Sequence, residues 1–215
     1  MTNPRIAVID YGAGNLRSIR RALEATGARV TITSDPTHLA TADGIVFPGV
    51  GNAGAAMSRL RELRMPPAIH ESVAADKPFL GVCLGMQLLF EGQEEGKTEG
   101  LGLLPGNVRT LRGTVKSPQM GWNRVRFVKP GPLGNGGEEE DFYFVHSYVV
   151  DADNADDIMA TTHYGEIFPA VVARDNVYGT QFHPEKSGAA GLRMVEAFVG
   201  VVREAMSRRV EAVSV

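Results

Sequence analysis

The segment from Lys77 to Glu91, KPFLGVCLGMQLLFE, restricts the fold more than any other, because it turns a buried strand into a helix at the chain's only cysteine. Pro78 to Val82 is short, apolar and introduced by Lys-Pro, the pattern of a buried strand, and Met86, Leu88, Leu89 and Phe90 continue as an apolar helical run. Cys83 stands at the junction with Gly81 and Gly85 two residues to either side. Small neighbours at that spacing let the backbone turn sharply and present one side chain outward, as in a nucleophile elbow. A thiol there faces the first free amides of the following helix, whose dipole favours thiolate, and the N–H of Leu84 is placed to hold a developing oxyanion. The pattern suits attack on an acyl carbon. A lone cysteine in an arbitrary chain is more often a small buried hydrophobe, but paired glycines at an apolar strand's end favour the nucleophile.

Upstream, Arg5 to Asp10 reads as a buried strand, followed by a Tyr11-Gly12-Ala13-Gly14-Asn15 loop and a helix with Leu16, Ile19 and Leu23 on one face. Arg29 to Thr33 and Gly44 to Phe47 are further strands, with Asp35-Pro36 opening a short helix between them. Pro48-Gly49-Val50-Gly51 follows, and helices over about 53–64 and 67–76 return the chain to the elbow. Strands alternating with helices predict a three-layer α/β sandwich on a mostly parallel sheet. Sites in such folds lie at the carboxyl ends of the strands, where the loops after Asp10, Phe47 and Val82 converge. The second half is richer in strands, over 108–112, 122–128, 141–150, 158–162, 170–173 and 178–182, predicting an additional antiparallel region before a last helix over about 188–207. One domain over 1–207 and a frayed tail over 208–215 are expected.

A net charge of −3 with scattered basic residues leaves no footprint for nucleic acid. No apolar run approaches the roughly 20 residues that span a bilayer, and the short IAVI after Arg5 is not a signal peptide's apolar region. One cysteine cannot form an internal disulfide, which fits a reducing cytoplasm.

A cysteine nucleophile needs a base. Of five histidines, His183 lies in TQFHPEKS at a strand's end with Glu185 two residues on, and alternate residues of extended chain point the same way, so the carboxylate can orient the ring. His146, in FYFVHSY, has no nearby carboxylate and is flanked by hydroxyls, which suits ligand binding better than base duty.

Cys83 in GVCLGMQLLFE together with His183 and Glu185 in TQFHPEKS resembles the class I, triad-type glutamine amidotransferases over nearly the whole chain. Four further segments are similar to the glutaminase subunits of imidazole glycerol phosphate synthases: residues 10–16 (DYGAGNL), 48–51 (PGVG), 120–123 (MGWN) and 146–148 (HSY). The resemblance implies hydrolysis of L-glutamine through a thioester on Cys83, with His183 as acid and base and Glu185 holding it, and needs no metal or cofactor. It implies an oxyanion hole from Leu84 and the Gly49-Val50-Gly51 loop, whose second donor family members keep turned away until the partner binds its substrate. Gln87, Glu95, His146, Ser147 and Tyr148 match glutamine-binding positions, and Asn15, Ser18, Met120, Trp122 and Lys186 match positions at the interface with a (β/α)8 cyclase subunit that receives the ammonia in a heterodimer. The alternatives are the glutaminase of another amidotransferase and a cysteine hydrolase on the same fold.

Overall fold

The computed structural model describes residues 3–213. Strands β1 (Arg5–Ile9), β2 (Arg29–Thr33), β3 (Gly44–Gly49) and β4 (Phe79–Cys83) alternate with helices α1 (Leu16–Ala25), α2 (Thr37–Thr41), α3 (Ala53–Glu62) and α4 (Met65–Ala74). The one-turn α5 (Leu84–Gln87) and strands β5 (Phe90–Gln93), β6 (Thr98–Glu99), β7 (Leu104–Thr110), β8 (Gln119–Phe127), β9 (Glu139–His146) and β10 (Tyr148–Ala152) follow. Strands β11 (Ile158–Tyr164), β12 (Glu166–Arg174) and β13 (Val177–Thr180) lead to the closing helix α6 (Gly188–Val213).

Nine strands form one sheet in the order β2-β1-β3-β4-β13-β12-β11-β8-β9. Its first five strands run parallel, and β12, β11, β8 and β9 extend it antiparallel. Alternation along the parallel strands explains the layers, because successive side chains leave opposite faces. Ile6 and Val8 pack with Ile19 and Leu23 of α1 and with Val195, Phe198 and Val202 of α6. Their neighbours Ala7 and Ile9 pack with Met57, Leu60, Met65 and Ile69 of α3 and α4. Both faces are covered, as a parallel sheet requires.

The structure departs from the sequence expectation in three places. The elbow helix ends at Gln87, and Phe90 begins a strand, because Leu88, Leu89 and Phe90 are completely buried against the second core and continue its apolar contacts in a new conformation. The extended stretch over 141–150 is two strands in two sheets: His146 pairs with Gln119 of β8, while Tyr148 pairs with Thr110 of β7 in a separate four-stranded sheet, β10-β7-β5-β6. The last helix continues to Val213, beyond the expected end near Ser207, with the Arg209 guanidinium donating to the Asp76 carbonyl at 2.8 Å. Residues 214–215 of the expected frayed tail lie outside the described residues. Among the described residues no helix is long and apolar enough to cross a membrane.

Candidate active site

The elbow is built by close backbone approach. A methyl group on Gly85 would overlap the Phe47 carbonyl oxygen, one on Gly81 would lie 2.6 Å from the Gly85 oxygen, and one on Gly49 would lie 2.5 Å from the Gly85 nitrogen. Three glycines thus bring β3, β4 and α5 together. Cys83 pays for the turn with φ 56° and ψ −113°, a conformation that costs a non-glycine residue roughly 1–3 kcal/mol. The strain holds the thiol at the edge of a cavity of about 270 Å³ that is also lined by Val50, Gly51, Gln87, Glu95 and His146. Clefts of about 500 and 690 Å³ lie elsewhere, and neither contains Cys83, His183 or Glu185. Of the three, only Cys83 lines the smaller cavity.

His183 lies just beyond β13, the strand beside β4, with its N–H donating to the Tyr143 carbonyl at 2.9 Å. Its Nδ1 meets Glu185 Oε1 at 2.8 Å, and both side chains are only 2% exposed. A carboxylate only accepts, so Nδ1 carries the proton of that bond and Nε2 is the working nitrogen. Nε2 is buried and has no hydrogen-bond partner of normal geometry. Burial works against the ring's cation, but hydrogen bonding and charge attraction from Cys83 and Glu185 outweigh it and raise the pKa to about 9. Parallel pairing of β13 with β4, with Thr180 beside Val82, brings the chain that leads to His183 and the chain that leads to Cys83 to the same end of the sheet.

The other expected residues fall in distinct places. Gln87 is buried, donating its amide to the Tyr148 carbonyl at 2.9 Å and to Gln181 Oε1 at 3.1 Å. Glu95 lines the cavity while its Oε2 accepts the Ala53 N–H of α3 at 2.7 Å. Ser147 and Tyr148 line the same cavity, because the chain changes sheets at Ser147 beside the thiol. Burial lowers the His146 pKa to about 4, against the raising effect of its bond to the Tyr148 carbonyl and helped by the charge of His183. The ring is therefore neutral near pH 7. Its Nδ1 donates to that carbonyl at 2.8 Å, which leaves Nε2 as an acceptor toward Gln119 at 2.9 Å. A neutral ring has one N–H, so the Gln119 amide must turn its NH2 to this nitrogen.

Leu84 N–H is the first amide of α5 and has no partner within the helix. Val50 N–H, in contrast, donates to the Tyr11 hydroxyl at 2.9 Å. On the outer surface, Met120 and Trp122 are 64% and 59% exposed on one face of β8. Trp122 is therefore no core residue. Its ring meets Tyr143 edge to face at 6.2 Å, and the exposed Lys186 holds its ammonium 5.9 Å from the same Tyr143 ring. Half-buried Asn15 and Ser18 lie at the start of α1, which packs against the Pro184–Lys186 turn.

Two groups lie outside the sequence expectation. Gln181, fully buried, points its amide at the Cys83 sulfur at 3.9 Å, and the sulfur also donates to the Val145 carbonyl at 3.7 Å. Its place two residues before His183 is the available signal; Glu185, in contrast to the sequence expectation, reaches the ring from the Pro184–Lys186 3-10 turn and not from extended chain. Tyr11 has no such signal. Its hydroxyl reaches Val50 from a distant part of the chain.

Residues 7–201 match the family model described as glutamine amidotransferase class-I. The imidazole glycerol phosphate synthase subunit HisH of Geobacillus thermodenitrificans is 48% identical over 204 residues, covering 92% of this chain and 96% of the relative. Subunit HisH 1 of Methanococcus maripaludis is 48% identical over 202 residues, covering 92% of this chain and 100% of that one. Among solved structures, PurLQS from Thermotoga maritima superposes with a TM-score of 0.75 at 19% identity, covering 94% of this chain and 100% of that chain. A glutamine amidotransferase from Thermotoga maritima gives 0.61 at 17% identity, covering 95% of this chain and 86% of that chain. At these identities the two structures speak for the fold alone.

Proposed function

The chain belongs to the class-I glutamine amidotransferases, and from that premise we propose how its site releases ammonia from L-glutamine. It is the glutaminase subunit of an imidazole glycerol phosphate synthase, acting in histidine biosynthesis. The observation that carries the reaction is the strained Cys83 at the cavity edge, at the end of the strand next to the one that leads to a buried imidazole paired to Glu185 at 2.8 Å.

In the first half-reaction Cys83, as the thiolate of an ion pair with the protonated His183 ring, attacks the side-chain carboxamide carbon of glutamine, and the carbonyl electron pair moves onto oxygen. The raised pKa of His183 keeps its ring protonated near neutrality, so Nε2 gives its proton to the leaving amide nitrogen as the C–N bond breaks. Ammonia leaves and a glutamyl thioester remains. In the second half-reaction the now neutral His183 takes a proton from water, whose hydroxide attacks the thioester; the C–S bond breaks and glutamate departs. Glu185 stabilises the cation in both halves. Leu84 N–H supplies one oxyanion donor and the Gly49-Val50-Gly51 loop the other. Gln87, Glu95, His146, Ser147 and Tyr148 line the glutamine pocket; Gln181 positions the sulfur.

Free ammonia is protonated in water and lost as a nucleophile, so the site works with a partner that receives it directly. That partner is the (β/α)8 cyclase of the synthase, in a cytoplasmic heterodimer. Met120, Trp122, Lys186, Asn15 and Ser18 form its docking surface, which accounts for a large apolar pair left open on a sheet face. Mixing the chain with the cyclase and its nucleotide and measuring glutamate tests the assignment. Strong stimulation over the chain alone is expected, and Cys83→Ala should abolish it without preventing assembly. Equal rates with and without the cyclase would overturn the partnership.

A further inference from the structure

Strand β9 closes one side of the nine-stranded sheet, and its outer edge is occupied by the segment that carries His183. In an antiparallel pair the N–H and C=O of one residue lie on the same side, and those of Tyr143 turn away from β8 to that edge. The His183 N–H donates to the Tyr143 carbonyl at 2.9 Å, and the Tyr143 N–H donates to the Ser187 hydroxyl oxygen, also at 2.9 Å. That hydroxyl passes its own hydrogen to the His183 carbonyl at 2.6 Å, and the same carbonyl accepts the Lys186 N–H at 3.0 Å. Both main-chain groups of His183 are thereby tied to one residue of β9, the N–H directly and the carbonyl through Ser187.

Ser187 is itself held in place. It is 1% exposed and ends the Pro184–Lys186 turn that His183 begins. Its carbonyl accepts the Gly191 N–H at 3.1 Å, and a methyl group on Gly191 would overlap the Pro184 carbonyl oxygen, so the turn is pressed onto the first turn of α6. Phe142 and Phe182, one residue before Tyr143 and His183, stack with ring centroids 4.0 Å apart and planes 19° from parallel. A stack of that kind keeps the segment on the sheet while tolerating a slide, whereas hydrogen bonds are directional and fix the main chain at both ends of the residue. Ser187 does not line the cavity beside Cys83, so it reaches the reaction only through His183.

We propose that Ser187 is a positioning residue for the glutaminase reaction, its hydroxyl locking the His183 main chain to β9 and so setting where Nε2 stands relative to the Cys83 sulfur. The proposal rests on the glutaminase assignment above. His183 and Glu185 belong to the same turn and stay paired when the lock is removed, so the separation that suffers is the one between the ring and the sulfur at the end of β4.

Ser187→Ala removes the hydroxyl and keeps the rest of the turn. In the stimulated complex, kcat for glutamate release should fall about ten- to hundredfold, the scale of an ångström-sized misplacement, with KM for glutamine within about twofold of wild type. The single cysteine allows a second readout in the chain alone. Alkylation of Cys83 by iodoacetamide follows the thiolate, and its pH midpoint should move up in the variant toward the ordinary thiol value of about 8.5. A serine that only stabilised the fold would lower the denaturation midpoint and leave both readouts of the folded protein unchanged. A kcat within about threefold of wild type, or an unmoved alkylation midpoint, in a complex whose wild type is active, overturns the proposal and leaves the glutaminase assignment standing; a wild-type complex without glutaminase activity overturns the assignment and the proposal with it. Amide hydrogen exchange at Tyr143 in the wild-type chain reads the lock independently of how well the variant folds. Slow exchange at this edge position is expected, and fast exchange contradicts the proposal.

Discussion

Replacing Glu185 by glutamine isolates the charge that the carboxylate lends to the His183 ring. The two side chains are almost the same size and both sites are only 2% exposed, so Glu185→Gln keeps the volume and one acceptor oxygen at the 2.8 Å contact while removing the negative charge. Burial alone would depress the ring's pKa; Cys83 and Glu185 reverse that and bring it to about 9. Set against an ordinary value near 6.5, the cation is favoured by roughly 3 kcal/mol net of the burial penalty. The gross attraction is larger. Taking about half of it for Glu185, and allowing the amide a neutral hydrogen bond in return, the imidazolium loses roughly 2–3 kcal/mol. That corresponds to about a 30- to 150-fold fall in kcat, because both half-reactions pass through the protonated ring. The assay is glutamate release by the stimulated complex, with the His183 ring protons followed by NMR across pH in the chain alone. A ring pKa lowered to about 7–7.5 should accompany the slower turnover. A kcat within about threefold of wild type, with the ring still titrating near 9, would refute the role given to the carboxylate.

Two further outcomes follow from the same geometry. Gly85→Ala drives a methyl group into the Phe47 carbonyl, backbone against backbone, and should cost about 3 kcal/mol or more in a denaturant titration or prevent folding outright; a loss below about 1 kcal/mol would show that the elbow has slack. The two buried histidines bend stability in opposite directions. Native His183 holds its proton between about 6.5 and about 9 while the unfolded chain does not, so its contribution is lost as pH rises through that window. Native His146 refuses a proton between about 6.5 and about 4 that the unfolded chain accepts, so stability also falls as pH drops there. Denaturation midpoints across pH should peak near 6.5 and shift upward at acid pH in a His146→Gln variant relative to its own neutral value; a flat acid limb in the wild type would contradict the neutral ring.

How much of this is legible in the sequence depends on whether the determining contact is local. The uninterrupted buried run from Ile6 to Ile9 and the glycine spacing around Cys83 are local, and they lead directly to the sheet and the elbow. The offset between His183 and Glu185 is equally local, and the side chains do meet. Leu88 to Phe90 mislead because a fully buried apolar run has no polar face to reveal its period, so helix and strand look alike. The break at Ser147 is hidden for a related reason: both halves of the stretch are extended, and only their partners, Gln119 and Thr110, show that they belong to different sheets. The bonds from Tyr11 to Val50 depend on how distant strands stack, which no spacing within either segment encodes. Trp122 suits either core or interface by sequence, and its 59% exposure removes the core option.

The most direct test is chemical capture of the nucleophile. A glutamine analogue carrying an electrophilic ketone in place of the carboxamide, incubated with the stimulated complex and followed by peptide mass mapping, should attach to the Cys83 peptide alone, with labelling slowed by excess glutamine and by Glu185→Gln. Attachment elsewhere, or labelling of Cys83 that neither competitor nor variant alters, would contradict a working alliance of that sulfur with His183 and Glu185.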